Sequence, residues 1–276
     1  SAARDFHSPR RKGARVDFFT VLFRSFETNL LVFARMLGIF IFNPILSRRN
    51  IPTIAKVTVT IFITYIAILV VQPEPVDTGT QTWVYLMMIC RETVIGLIFG
   101  FITDLFFYTV QVAGEVMDMQ SGLGMAKVFD PESNVQMSVM GSFISFMMYL
   151  YFFATDAHLT LIRLFIMSYD IIPIGSGGFN PELGYLAASY FSVVLALVIK
   201  LAMPIMAAEF ILEFCMGVLM KSVPQIQIMV VNIQLKVAFG FAMLFLMAVP
   251  LSDFIDGYLE KWLEALETFM AAIPAV

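Results

Sequence analysis

Apolar residues fall along this chain in long blocks rather than in alternation with polar ones. Six blocks can be drawn, at about 18–42, 54–71, 83–110, 137–154, 186–208 and 235–251. A helix rises 1.5 Å per residue and needs about 20 apolar residues to cross a bilayer core, so blocks of this length predict helices rather than strands. The first block carries Arg24, Glu27 and Arg35, and the third Arg91, Glu92 and Asp104. The fourth has no charge, the fifth holds Lys200 and Pro204, and the sixth has Lys236 at its edge and Pro250 near its end. Between the last two blocks, the piece around 210–220 is too short to span and contains Glu213. Pro224 follows it, and proline resists helix continuation on both sides, which predicts a helical hairpin turning there.

One stretch breaks the pattern. From Gln111 to Pro131 the chain leaves the third block as an amphipathic helix and then meets Gly122 and Gly124. Glycine breaks helices and admits backbone angles that other residues avoid. Met117, Met119 and Met125 supply soft, adaptable side chains, and Asp130-Pro131 signals a turn. Broken backbone at membrane depth survives only inside protein or beside a wet cavity, so this stretch predicts a conduit or its gate.

Composition sharpens the membrane reading. Hydrophobic residues make up 59% of the chain and charged residues 14%; mean hydropathy is +0.85. A soluble domain of this make-up would expose too much apolar surface to stay in solution. Ten of the 17 Lys and Arg residues lie in the first 56 positions. Positions 1–17 are read as a basic leader, disordered or non-native, and 18–276 as one domain. The positive charge before and after the first block asks for the same side of the membrane, a conflict if that block spans in the ordinary way. Cys90 and Cys215 lie in apolar blocks and are expected to be packing residues, not a disulfide.

Several chemistries lack their residues. There is no Gly-x-x-x-x-Gly-Lys run for nucleotide phosphates, and two histidines give no paired metal ligands. Asp156 and His158 could form half of a catalytic device, but no nucleophile motif accompanies them. The plainer expectation is a helix start capped by Asp156. No catalytic, cofactor or metal residue is assigned, and no nucleic-acid partner is expected.

Arg91 and Glu92 are adjacent, so on a helix they diverge by about 100° and seek separate partners, with Asp104, Lys200, Glu209 and Glu213 as candidates. Intramembrane charges serve as relays, as docking charges between subunits or as internal ion pairs. Core packing accounts for Met147, Met148, Met243 and Met247.

Local patterns then coincide in order. They are Asn43-Pro-Ile-Leu-Ser-Arg48 with Ile51-Pro52; Arg91-Glu92 leading to Gly96 and Gly100; Gly114-Glu-Val-Met-Asp-Met-Gln-Ser-Gly-Leu-Gly-Met125 with Phe129-Asp-Pro131; Asp156-Ala-His158 with Ile172-Pro-Ile-Gly175; and Lys221-Ser-Val-Pro-Gln-Ile-Gln-Ile-Met-Val-Val-Asn232. Together they resemble the flagellar biosynthesis FliR family and its relatives, the T-type export-gate components of virulence type III secretion. The basic leader departs from that family's short apolar start.

The resemblance implies an all-α integral membrane or membrane-associated protein of kinked helical hairpins, stacked in a helical assembly that is partly outside the bilayer. It implies an inner-membrane export gate in the flagellar basal body, with FliP-like, FliQ-like and FlhB-like partners and unfolded flagellar proteins in transit. It maps a channel plug onto Met117, Met119, Gln120, Gly122, Leu123, Gly124, Met125 and Phe129. Arg91, Glu92, Lys200, Glu209 and Glu213 are assigned to subunit contacts. The alternatives are a virulence export gate and, from the charges and broken helices alone, a small-solute secondary transporter.

Overall fold

The computed structural model describes residues 26–41, 51–76, 82–124, 138–175, 182–222 and 228–273. All the regular structure in them is helical: α1 Phe26–Ile41, α2 Thr53–Val71, α3 Thr82–Gln120, α4 Val139–Ala154, α5 Ala157–Ile171, α6 Glu182–Ser222, α7 Ile228–Leu246 and α8 Ala248–Ala272. Three of these, α2, α3 and α6, are long and apolar enough to cross a membrane. Two bent pairs add further candidate spans: α4 with α5 at 71°, and Val231–Leu246 with Pro250–Ala272 at 66°. The chain is therefore an all-α membrane protein with kinked helix pairs. The leader expected at 1–17 lies outside the described residues.

The third block continues as helix to Gln120, as the amphipathic run beyond it predicts, so α3 has 39 residues. Two other block boundaries needed correction. The short piece at 210–220 is no separate element: α6 runs unbroken for 41 residues through Pro204 and Glu209. At 1.5 Å per residue both helices reach roughly 60 Å, about twice the hydrocarbon thickness. The sixth block is split at Met247, where α7 ends and α8 begins with Pro250 in its first turn, a position whose N–H has no helical acceptor in any case. Beyond these, α5 matches none of the six blocks. Its buried residues Ala157, Leu161, Leu164, Phe165, Ser168 and Tyr169 recur at helical spacing between exposed ones, so it is amphipathic rather than uniformly apolar.

The hairpin expected near Pro224 has its two arms in place. α6 and α7 pack side by side, and the turn itself lies in the undescribed 223–227. α3 is the axis of the fold, touching α1, α4, α6 and α8. Its contact with α1 is backbone against backbone. A Cβ on Gly96 would lie 2.1 Å from the Arg35 carbonyl oxygen, and one on Gly38 would lie 2.4 Å from that of Thr93. Small residues permit such approach, and dispersion between close-packed helices does the rest.

Further along, Phe106 stacks on Tyr258 and Trp262 of α8 at 4.1 and 4.7 Å, and the Tyr258 hydroxyl donates to the Phe106 carbonyl at 2.7 Å. This aromatic cluster fixes the acidic C-terminal helix against the axis.

Cys90 and Cys215 are free thiols, but both are exposed, against the expectation that they pack. Large apolar side chains cover much of the remaining surface, including Phe210, Phe214 and Phe245. Lipid or other subunits must cover such a surface.

Candidate functional site

The α3 helix ends where the glycines begin. Ser121, Gly122 and Leu123 form a turn after Gln120. Gly122 has φ +80°, a left-handed conformation that strains any residue with a Cβ. Gly124 has no positive φ, so of the two glycines only Gly122 is conformationally required.

The chain returns at Ser138, and the two ends are tied together. Asp118, one turn before the break, is buried. Its carboxylate accepts from Val139 N at 2.7 Å and Met140 N at 3.1 Å, while Ser138 Oγ accepts from Gly141 N at 2.8 Å. These bonds satisfy the orphan donors of the first turn of α4 and set a negative charge at its positive end. Just below, Gly114 and Gly141 meet so closely that a Cβ on the former would lie 2.0 Å from the Cα of the latter. The end of α3 and the start of α4 thus form one tied neck.

The expected gate residues divide at this neck. Met117 is buried in the core, Met119 is 78% exposed, and Gln120, Gly122, Leu123 and Gly124 are half-buried. Leu123 packs against the core. Met125 and Phe129 lie outside the described residues.

The charges divide as well. Glu92 is wholly buried, and its partner is none of the candidates named from sequence. It is Arg35 of α1, at 2.6 Å. The other guanidinium nitrogens donate to the carbonyls of Ser168 and Ile172, each at 3.0 Å, and the guanidinium carbon lies 4.3 Å from the Tyr169 ring centroid. The second Glu92 oxygen accepts from Gly175 N at 2.8 Å. Glu92 is thus committed within the chain, tying α3 to α1 and to the end of α5. Arg91, one residue away, is exposed, as the divergence on a helix predicts.

Lys200 is exposed, flanked by the exposed Ile199 and Met203. Glu213 pairs with Lys236 at 3.1 Å across the α6–α7 hairpin and keeps half its side chain exposed. Glu209 is 0% exposed, which leaves no surface to offer another subunit in this arrangement. Asp104 is half-buried.

α5 starts where expected, with Asp156 at its N-cap position and His158 in its first turn, but the Asp156 side chain does not cap it. Asp156 takes the left-handed conformation at φ 56° and lends only its carbonyl to Leu159 N and Thr160 N. His158 lies against Phe153, centroids 5.1 Å apart, and its Nδ1 has no partner among the described residues. Among the described residues, no group of three or more His, Cys, Asp or Glu could hold a metal ion.

The residues that sequence reading undervalued are Arg35 and Asp118. Arg35 stood out as a charge in an apolar block, but the register that brings it to Glu92 depends on Gly38 and Gly96. Asp118 lay inside the quoted glycine motif, with nothing to show that it would reach 21 residues ahead.

Residues 26–262 match the model of the family described as bacterial export proteins, family 1. The flagellar biosynthetic protein FliR of Bacillus subtilis is 26% identical over 251 residues, covering 90% of this chain and 96% of its own. FliR of Escherichia coli is 25% identical over 242 residues, covering 88% and 92%. The Yop proteins translocation protein T of Yersinia pestis is 25% identical over 227 residues, covering 80% and 85%. An all-helical chain with several apolar spans, a broken and re-pinned central helix and this extent of similarity is a member of the bacterial export protein family 1.

Proposed function

We propose that this chain is an export-gate subunit of a flagellar type III protein export apparatus in the inner membrane. In this reading it assembles with FliP-like, FliQ-like and FlhB-like subunits, and unfolded flagellar proteins pass the channel they enclose. The observation that carries it is the family match over 26–262, which includes the Gly122 break. The pinned neck at Asp118, Ser138 and Met140 supports a plug, because it holds the end of α3 and the start of α4 together on either side of 125–137. Exposed apolar faces and the uncovered Lys200 and Arg91 support docking against other subunits, because a lone cation facing lipid is costly.

The experiment is purification of tagged chain at native level with mass spectrometry of what accompanies it. A stable complex with FliP-like and FliQ-like proteins is expected. A lone, well-behaved protein that binds a small solute overturns the reading in favour of a transporter. Deleting Gln120–Ala126 is expected to leave the complex assembled but leaky to ions; a tight gate after that deletion rejects the plug. The match to a Yop translocation protein keeps a virulence secretion system as the second reading. Identification of the co-purified subunits decides between the two.

A further inference from the structure

Glu209 is the one carboxylate among the described residues that is wholly buried with both oxygens lacking a hydrogen-bond partner. It sits about two thirds of the way along α6, and its surroundings come from three other elements. A Cβ placed on Gly240 of α7 would lie 3.1 Å from Glu209 Oε1, 3.1 Å from Ser121 Cβ and 2.8 Å from the terminal methyl of Met140. Gly240 is therefore the point where the carboxylate, the end of α3 and the start of α4 converge. Ser121 and Met140 are the two sides of the neck from which segment 125–137 departs and returns.

The ionisable groups around Glu209 can be named element by element. On α6, Glu213 lies one turn away and repels a charge on it. On α7, Lys236 attracts one, but its ammonium is engaged by Glu213 at 3.1 Å. On α3, Asp118 is occupied by the Val139 and Met140 amides. From α4 the approach is the Met140 methyl, which cannot solvate a charge.

An ionised carboxylate in such a place loses its hydration and gains nothing equal in return, so the group either neutralises or forces the packing apart. A metal ion is no remedy, since among the described residues no group of three or more His, Cys, Asp or Glu could hold one.

We propose that Glu209 is a proton-binding site: it holds an exchangeable proton while Ser121, Met140 and Gly240 close over it, and its ionisation loosens that packing. The proton leaves for water, and the carboxylate that remains draws in water or the Lys236 ammonium. Either move displaces Ser121 and Met140, and hence both sides of the neck together. The site holds its proton whether or not segment 125–137 closes a channel.

The test uses the full chain in whatever complex it purifies with, in detergent. Infrared spectra at neutral pH are expected to show the carbonyl stretch of a protonated carboxylic acid, lost in Glu209→Gln and kept in Glu213→Gln. A spectrum unchanged by Glu209→Gln overturns the proposal.

The coupling to the neck is read separately. Ser121→Cys is introduced in a Cys90→Ala/Cys215→Ala background and labelled with a maleimide in mildly acidic and in alkaline buffer. The alkaline-to-acidic labelling ratio is expected to be severalfold larger with Glu209 than with Glu209→Gln, which removes the thiol's own titration from the comparison. Equal ratios overturn the coupling. An absent acid band with labelling that ignores Glu209 would mean that a cation from another subunit pairs with an ionised Glu209, which also overturns the proposal.

Discussion

Glu92 and Glu209 are both glutamates on long apolar helices, and both are wholly buried. Around Glu92 every polar atom is answered: Arg35 on one oxygen, the Gly175 amide on the other, and the remaining guanidinium protons on the carbonyls of Ser168 and Ile172. Around Glu209 nothing among the described residues answers either oxygen. The first is a closed knot that joins α1, α3 and the end of α5, at the cost of desolvating two ions. The second is an open valence set beside the break in α3. Burial of a charge thus tells little by itself. The count of satisfied lone pairs separates a structural ion pair from a group poised to exchange a proton.

Breaking the knot is expected to have the largest effect. Arg35→Ala leaves Glu92 buried and unpaired, a loss of about 3–5 kcal/mol for a buried pair. Thermal unfolding of the purified complex, or its yield from membranes, is the measurement. Glu92→Gln is expected to fall in the same direction, whereas Glu209→Gln should leave stability unchanged or raise it, because no partner is orphaned. If the two glutamine variants lose stability equally, the contrast between the sites is wrong.

Next in size is Gly96→Val, which drives a side chain into the Arg35 carbonyl and separates α1 from α3, at about 1–3 kcal/mol or more for overpacking. Gly122→Val is expected to cost about 1–3 kcal/mol by forcing a β-branched residue to positive φ, read as reduced complex yield and impaired secretion. Gly124→Ala should cost less than Gly122→Ala, since only the latter needs the left-handed region. The smallest effect belongs to Glu213→Gln. Its pair with Lys236 is half exposed, and such pairs contribute about 0–1 kcal/mol.

Much of this was legible before the fold. The long apolar blocks gave the helices α2, α3, α4 and α6 because burial in lipid demands continuous hydrophobicity, a signal that needs no partner. The glycine break was legible because glycine's backbone freedom is local. Of α5 only the start at Asp156 was legible, because its apolar positions form a stripe interrupted by Arg163 and Asp170 and so make no unbroken apolar block. The split at Met247 escaped because Pro250 is as well suited to starting a helix as to ending one.

Sequence by itself therefore determined the class of the protein, the approximate place of α2, α3, α4 and α6, the position of the break after Gln120 and the likeness to an export family. Only the tertiary structure decided which charges meet. Arg35 finds Glu92 across 57 residues because Gly38 and Gly96 let two helix backbones touch. Asp118 finds α4 because Gly114 and Gly141 do the same. Glu209 is stranded because Gly240 leaves room for its carboxylate while Lys236 is held one turn away. Hydrophobicity is a property of each residue and can be read along the chain. Electrostatic pairing falls off within a few ångströms and is fixed only when distant segments have been packed into register.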